Sequence, residues 1–409
     1  MLSRVKHWIL GLCAVSVVLA GCSGLFSTPE PVTLSFVFSE GEAADYQAWA
    51  QEFQEKYPTI TIELKSREGL SGDLLLQEDT FTGTQFDLQG WVQQQAVLPL
   101  SPFVEQAADL ASEDFYRGTL QVFGSQGQLW ALPYGVDLLM MYYNKNLFDR
   151  YGVPYPQVGW TWSDFIDLAM AVTDVNADQF GYALQYSNEF GIYEPVVFIY
   201  QHGGRVFDDL QNPTRATLNE PLNVEAMEWY ADLIYDYHIA PTRAEGPQRM
   251  RSYPWQGVIE QKYAMWSMMF STRGGMRWPV EQETNWGMVP WPKDQNAASL
   301  GMATGLFIAA STEHPDEAWQ WIEFLSHKTP LYQMPARQSL VGSKAYEELV
   351  GVEAALAARA ALEEAILVNP SLLGFEAAIG ALSEALDAIR NGDATPQAAL
   401  DAAQEKSGY

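Results

Sequence analysis

Residues 32–64 read VTLSFVFSEGEAADYQAWAQEFQEKYPTITIEL, and this stretch decides the fold. Val32–Phe38 carries apolar residues at every second position, which predicts a strand, and Thr59–Leu64 alternates in the same way. A helical stripe lies between them and stops before Pro58; its members are Tyr46, Trp49, Ala50, Phe53 and Tyr57. A strand, a helix and a strand within 33 residues predict a right-handed βαβ unit with parallel strands, and therefore an α/β fold.

The composition of the 409-residue chain excludes several classes of protein. Its 23 basic and 51 acidic residues give a formal net charge of −28, which argues against nucleic acid as a partner, because phosphate binding needs a basic surface. A hydrophobic share of 48% with 18% charged residues supplies enough apolar mass for packed cores. Both cysteines, Cys13 and Cys22, lie near the N-terminus, so we expect no disulfide and no catalytic thiol in the folded body.

The N-terminal segment has the pattern of an export signal. Two basic residues precede the apolar run Trp8–Ala20, which is shorter than a bilayer-spanning helix, so we expect residues 1–21 to be a signal peptide. The sequence LAGC at 19–22 looks like the lipobox of bacterial lipoproteins, in which the cysteine is lipidated. We therefore expect lipid on Cys22 and a tether over residues 22–31. The alternative is an ordinary secretory signal that contains a cysteine.

Motifs for metal, cofactor or nucleophilic chemistry are not found. The histidines after the signal stand at 202, 238, 314 and 327, without metal-ligand spacing. Asp174, Asn176 and Asp178 resemble the start of a calcium loop, but glutamine replaces the required glycine and glutamate, so we interpret this segment as a polar turn. There is no phosphate-binding loop and no G-x-S-x-G elbow. We expect no metal, no cofactor and no catalytic residue, although the sequence leaves a glycosidase carboxylate pair open.

Tryptophan gives the positive functional signal. The chain has 14 tryptophans, and several stand in turn-like contexts rather than on helical stripes: Trp91, Trp160, Trp255 and Trp286. An indole face beside carboxylates and amides suits a sugar ring, which offers C–H groups to the face and hydroxyls to the polar atoms. Other tryptophans lie on apolar helical stripes and are interpreted as core: Trp49, Trp229, Trp319 and Trp321.

One long segment resembles a known family. Residues 130–173, WALPYGVDLLMMYYNKNLFDRYGVPYPQVGWTWSDFIDLAMAVT, are similar throughout to the extracellular solute-binding proteins of ABC transporters. The similarity is to the sugar-binding group that includes maltose-binding protein, and shorter stretches extend it over roughly residues 32–404. Two motifs depart from the family: Phe86 stands where proline is usual in Gly83–Asp87, and the family's G-[KR]-x-A-M segment is QKYAM at 261–265.

The resemblance implies a two-lobed fold of the periplasmic-binding-protein type (type II), with the ligand cleft between the lobes and three crossings of the chain between them. By the same resemblance, lobe 1 comprises residues 32–136 plus 292–333, and lobe 2 comprises 137–291 plus 334–409. Closure of the cleft would then bend the chain near residues 135–138, 291 and 333–336.

The residues that match ligand positions of the family are Glu40, Trp91, Asp137, Tyr193, Trp255, Trp266 and Arg337. In this scheme Trp91 stacks on a sugar ring and Asp137 accepts hydrogen bonds from hydroxyls. Arg337, at the third crossing, reaches hydroxyls or a carboxylate.

These expectations combine into one function. The resemblance implies a monomeric, non-enzymatic lipoprotein, anchored outside the cytoplasm on the periplasmic or cell-surface side, that captures a carbohydrate and delivers it to an ABC permease. Within the same architecture the ligand could be a polyamine, a glycerol-phosphate or another small polar solute. A secreted glycosidase is the alternative from a different class.

Overall fold

The structure is a computed structural model, and it describes residues 30–67, 77–107, 110–184, 192–209, 213–242, 245, 254–274, 285–367 and 375–408. The strands are β1 (Val32–Ser39), β2 (Ile60–Arg67), β3 (Thr80–Thr84), β4 (Gly124–Ser125), β5 (Gln128–Leu129), β6 (Leu132–Asn144), β7 (Phe180–Ala183), β8 (Tyr263–Met269), β9 (Trp286–Val289), β10 (Ser299–Ile308), β11 (Met334–Pro335) and β12 (Ala365–Leu367). The α-helices are α1 (Ala43–Lys56), α2 (Gln85–Gln93), α3 (Ser101–Gln106), α4 (Arg117–Val122), α5 (Lys145–Tyr151), α6 (Trp162–Ala171), α7 (Tyr193–Gln201), α8 (Pro221–Tyr235), α9 (Pro254–Ile259), α10 (Pro315–Ser326), α11 (Gln338–Val341), α12 (Lys344–Val350), α13 (Val352–Glu363), α14 (Phe375–Asn391) and α15 (Pro396–Lys406).

The predicted βαβ unit is confirmed. Strands β1 and β2 pair in parallel, from Val32 opposite Ile60 to Ser39 opposite Arg67, and α1 connects them. Phe36 of β1 and Phe53 of α1 both pack edge-on against Trp321, with ring centroids 5.5 and 5.0 Å away. Burial of large aromatic side chains is the main stabilising term here, because it removes the largest apolar areas from water.

One long strand joins the two halves of the sheet. The central order is β2-β1-β3-β10-β6-β8-β7, with parallel and antiparallel pairs mixed. All 13 residues of β6 are buried; its first half pairs with β10, and its second half pairs with β8 and β9. We call the part with β1, β2, β3 and β10 lobe 1, and the part with β7, β8 and β9 lobe 2. The two hydrophobic cores meet along β6, whose side chains alternate between them.

The chain passes between the lobes in three places. The first is within β6, and the second is the segment 290–298 between β9 and β10. The third is β11, where Met334 pairs with Val136 and Pro335 with Gly135 of β6. The two-lobed α/β fold is therefore confirmed, with its crossings close together at the middle of β6. The residue boundaries of the lobes stay a prediction.

Several helix ends also follow the sequence. Thr161 and Asp164 form the predicted capping box at the start of α6, and Thr395 caps α15 through the backbone N–H of Ala398. The calcium-like segment is a polar turn, because Asp174 Oδ1 accepts hydrogen bonds from the backbone N–H groups of Asn176 and Ala177. Among the helices that the structure describes, none combines the length and apolar character needed to cross a membrane.

Candidate functional site

Polar side chains from both lobes gather where the crossings meet. They come from the single 3₁₀ turn Glu40–Glu42 after β1, from the middle of β6, from the turn Phe270–Gly274 after β8, and from residues 331–333 before β11. A register shift between β6 and β10 places Tyr134 as an extra residue opposite Thr304 and Gly305. Bulges of this kind often redirect side chains next to binding sites, and this one lies where the crossings meet.

Glu42 lies on the lobe 1 side of this region. Burial and, to a smaller extent, the nearby negative charge of Asp45 together raise the pKa of its carboxyl group to about 7. A carboxyl group with this pKa exchanges its proton near neutral pH, so it can both donate and accept hydrogen bonds there.

Two tyrosines close the base of the same region. Tyr46 of α1 and Tyr134 of β6 are buried, and their ring centroids are 6.5 Å apart. Burial is the main reason that the pKa of each hydroxyl is held above its usual range. Both phenols therefore keep their protons, and their hydroxyl oxygens are buried in the core of lobe 1 rather than open to a ligand.

Asp137 lies at the centre of β6 and is 7% exposed. Its Oδ1 accepts a hydrogen bond of 2.9 Å from the backbone N–H of Ser271. Burial raises the pKa of Asp137 to about 6, although the Ser271 hydrogen bonds and the charge of Arg273 act in the opposite direction. Asp137 thus connects the hinge strand to the turn after β8, and its ligand contact stays a prediction.

Three other predicted site residues begin or border helices. Glu40 starts the 3₁₀ turn after β1, Tyr193 is the first residue of α7 and is half-buried, and Trp255 is in the first turn of α9. The side chains of Glu40 and Trp255 lie outside the described part of the chain, and so does Cys22. Their predicted roles stay predictions.

The structure corrects the expectation for Trp91. This residue is 3% exposed, and its ring stands edge-on to Phe81 and Phe307 at 5.2 and 5.1 Å. A Cβ added at Gly83 would lie 2.7 Å from the indole, which shows how closely the backbone covers it. Trp91 is a core residue of lobe 1, because no ring face is open to a sugar.

Arg337 is also a packing residue rather than a ligand contact. Its guanidinium is 1% exposed and donates to the carbonyl oxygens of Ser326 and Leu110 at 2.9 and 3.0 Å. Further contacts reach Asp114 Oδ2, Ser326 Oγ and His327 Nε2, and the group lies 4.2 Å over the Phe115 ring. All five N–H donors of Arg337 have partners within the protein, so the predicted hydrogen bonds from Arg337 to a ligand are wrong for this structure.

Trp266 lies on β8 beside Asp137's strand. Its ring is parallel to that of Tyr142 at 5.8 Å, and the residue is 3% exposed. The ligand-binding role predicted for Trp266 stays a prediction, and the ring is nearly fully buried in this structure.

Sequence reasoning missed Glu42, Tyr134 and Arg273. Glu42 had a usable signal, because it stands two residues beyond Glu40 at the end of the same strand. Tyr134 and Arg273 gave none, since only the β6 bulge and the turn after β8 bring them to the crossings. Within the residues that the structure describes, no group of three or more His, Cys, Asp or Glu side chains is arranged to hold a metal ion.

Known proteins resemble this chain in sequence and structure. The family model for bacterial extracellular solute-binding proteins matches residues 39–328. A protein of Brucella abortus (strain 2308), named only as a candidate binding protein, is 23% identical over 98% of both chains. The arabinooligosaccharide-binding protein of Halalkalibacterium halodurans is 24% identical over 50% of this chain and 45% of its own. The sugar-binding protein MalE of Xanthomonas citri has a TM-score of 0.73 at 20% identity, covering 92% of this chain and 96% of its own.

Proposed function

The chain belongs to the bacterial extracellular solute-binding protein family, and from this premise we propose that it captures a carbohydrate outside the cytoplasm for an ABC permease. The observation that carries the proposal is the pair of carboxyl groups at the crossings, Glu42 and Asp137, whose pKa values are raised to about 7 and about 6. Carboxylates accept hydrogen bonds from sugar hydroxyls, and a half-protonated carboxyl group can also donate to them. The predicted contacts Glu40, Tyr193, Trp255 and Trp266 complete the proposed site.

A neutral polyol fits this set better than an anion does. Glu42, Asp45 and Asp137 are acidic, and the Arg273 guanidinium donates to backbone carbonyls. Negative charge at the site would repel a phosphate, which makes glycerol-phosphate the weaker alternative. The same carboxylates favour a polyamine as the second candidate, because they would pair with ammonium groups.

Calorimetry and thermal shift distinguish the ligands. We expect maltotetraose, maltose or an arabino-oligosaccharide to raise the melting temperature, since ligand at 100 times its dissociation constant adds about 2.7 kcal/mol of stability. Glu42→Gln should weaken the binding of that sugar, because it removes a charged acceptor while keeping the shape. Glu228→Gln on the exposed face of α8 is the matched control and should bind like the unvaried chain. Binding of spermidine alone would replace the carbohydrate proposal with the polyamine one.

Turnover separates this proposal from a glycosidase. A receptor binds one equivalent of oligosaccharide and leaves it intact, whereas a glycosidase releases reducing sugar continuously. We expect no product from maltotetraose over hours at saturating protein. Steady release of glucose or maltose that Asp137→Asn abolishes would contradict the binding role.

We also propose that Cys22 carries the lipid anchor. The support is the LAGC sequence at 19–22, and two acyl chains are enough for stable attachment to a membrane. Cys22→Ser should move the protein from the membrane fraction to the soluble fraction or leave it as precursor. Mass spectrometry that finds an unmodified cysteine on soluble, unvaried protein would contradict the anchor.

A further inference from the structure

Arg273 makes a direct side-chain contact between the lobes at the crossings. It belongs to the turn Phe270–Gly274, which follows β8 of lobe 2. Its two terminal nitrogens donate to the carbonyl oxygens of Leu331 at 2.9 Å and Tyr332 at 3.0 Å. The guanidinium carbon is 4.2 Å from the centre of the Phe270 ring, which supports the side chain from its own turn.

The turn that carries Arg273 is fixed to lobe 2 and to the hinge strand. Met269, at the end of β8, pairs with Leu139 of β6, and its carbonyl accepts a 3.0 Å hydrogen bond from the Tyr142 hydroxyl. The Ser271 N–H donates to Asp137 Oδ1 at 2.9 Å. Arg273 therefore moves with β8 and with the middle of β6.

The segment that receives Arg273 is fixed to lobe 1. It follows α10, whose Trp321 packs on Phe36 of β1. Next to the two accepting carbonyls, the Gln333 side chain donates to Thr304 Oγ1 of β10 at 2.9 Å. It also lies against Gly135, where an added Cβ would stand 2.1 Å from Gln333 Oε1. Rotation of lobe 2 against lobe 1 must therefore move Arg273 relative to these carbonyls or carry the segment with it.

We propose that Arg273 is a positioning residue that sets the relative orientation of the two lobes through its bonds to Leu331 and Tyr332, here called the interlobe latch. Charge-assisted hydrogen bonds from a planar guanidinium are directional, so they favour one arrangement of the lobes over others. Removing these bonds shifts the population among the interlobe arrangements, because the arrangement that they favour loses its stabilisation relative to the others. The latch rests on the two-lobed fold and on these contacts, and it does not depend on which ligand the cleft takes.

Interlobe distances measured without any ligand test the latch. The two cysteines are Cys13 and Cys22, so Cys13→Ser and Cys22→Ser with Glu55→Cys on α1 and Glu228→Cys on α8 give one spin label on each lobe. Both label positions are exposed. Double electron–electron resonance then gives the distance distribution for the unvaried latch, for Arg273→Gln and for Arg273→Lys. Arg215→Gln, an exposed arginine of lobe 2 that pairs with Glu220, is the control.

We expect Arg273→Gln to shift or broaden the distribution and Arg273→Lys to do so less, since lysine keeps the charge but loses the two-pronged geometry. Arg215→Gln should leave it unchanged. A residue that only stabilised the fold would lower the melting temperature without altering the distances of the folded protein. Distributions of Arg273→Gln and the unvaried chain that superimpose would overturn the latch; if Arg273→Gln does not fold, an unchanged Arg273→Lys distribution would do so. A changed distribution in a protein that binds no sugar would uphold the latch and contradict only the carbohydrate proposal.

Discussion

Lobe 1 and lobe 2 each bury a charged side chain, but they stabilise it in different ways. Arg337 packs into lobe 1, where the backbone carbonyls of Leu110 and Ser326 accept two of its hydrogen bonds and Asp114 supplies the counter-charge at 3.3 Å. In lobe 2 the buried charge is a carboxylate, Glu194, which is enclosed by hydroxyl groups. The hydroxyls of Tyr182 and Ser267 donate to it at 2.7 and 2.8 Å.

The two arrangements differ in whether the buried charged group contacts its oppositely charged partner directly or through a hydroxyl group. Tyr230 donates to Glu194 at 3.2 Å and accepts from Arg390 Nε at 2.9 Å, so a phenol lies between the carboxylate and the guanidinium. Lobe 1 instead uses a direct ion pair with a half-buried aspartate. A buried charge is tolerated in both lobes because polar partners surround it, which matters more than the ion pair itself. The cost of a substitution should therefore follow the number of partners left unpaired.

Arg337→Met tests the lobe 1 arrangement and should have the largest effect. It leaves the carbonyl oxygens of Ser326 and Leu110 without this donor, whereas Asp114 keeps its hydrogen bonds from Ser339. Each buried acceptor left unsatisfied typically costs about 1 to 3 kcal/mol, and here there are two. Urea unfolding at pH 7 measures the loss. Arg215→Met, whose side chain is 58% exposed, is the control and should change the free energy of unfolding by less than about 0.5 kcal/mol. Equal effects of the two substitutions would show that the burial of Arg337 is not stabilising.

Asp137→Asn tests a buried charge with few partners, at the border of the lobes. Burial raises the pKa of Asp137 to about 6 in the folded protein, above the unfolded value of 3.8. The folded state therefore binds the proton more tightly than the unfolded state does. The stabilisation from protonated Asp137 is complete below about pH 4 and is lost as the pH rises through about 6. This loss of stability amounts to roughly 3 kcal/mol. Asparagine does not ionise, so Asp137→Asn should remove this pH dependence.

The measurement is the free energy of unfolding between pH 4.5 and 8 for Asp137→Asn and for the unvaried chain. The difference between the two curves should grow in favour of the variant as the pH rises. Parallel curves would show that Asp137 is not held at a raised pKa. Asp167→Asn on the exposed face of α6 provides the comparison for a surface site.

Glu194→Gln tests the lobe 2 arrangement. Glutamine keeps the shape and one acceptor oxygen, but its amide nitrogen turns a donor toward hydroxyls that now donate to the carboxylate. We expect a loss of about 1 to 3 kcal/mol in urea unfolding, which is smaller than that of Arg337→Met because the hydroxyls can rotate. Glu228→Gln on the exposed face of the neighbouring helix α8 is the control. A loss as large as that of Arg337→Met would contradict the idea that adaptable hydroxyls soften the change.

His202→Gln should have the smallest effect, because this charge lies near the surface. His202 Nδ1 lies 2.5 Å from Asp294 Oδ2, and Nε2 lies 3.1 Å from Glu225 Oε2, which fits an imidazolium ring. These two carboxylates raise its pKa above the usual value although burial lowers it. The stabilising contribution is then complete below about pH 6.5 and is lost as the pH rises through the folded-state pKa.

The expected size is a few tenths to about 1 kcal/mol, since partly exposed ion pairs contribute little. The urea midpoints at pH 5.5 and 8.5 should differ less for His202→Gln than for the wild-type chain. The difference between the two proteins should be present at pH 5.5 and nearly vanish at pH 8.5. High salt should reduce the difference at pH 5.5. A variant that follows the unvaried chain at both pH values would show that the ring carries no stabilising charge.

The sequence predicted local structure well where a few neighbouring residues decide it. The capping box of Thr161 and Asp164, the βαβ unit and the extended run that became β6 all depend on side chains within one or two turns or on simple alternation. The predicted roles of Trp91 and Arg337 were corrected because burial depends on distant residues. Arg337 is enclosed by Leu110, 227 positions away along the chain, and Trp91 by Phe307.

The amino-acid sequence by itself determined the fold class, the family resemblance and the polar character of the site. Periodicity, caps and an acidic, tryptophan-rich composition are local properties, and they survive any arrangement of the rest of the chain. Only the tertiary structure decided which polar groups meet. Glu42, Asp137 and Arg273 come from three separate segments, and they lie at the crossings because β6 runs through both lobes and brings β8 and β11 to its middle. Burial then sets the charge of each group, because desolvation depends on what surrounds a carboxyl group and not on its neighbours in sequence.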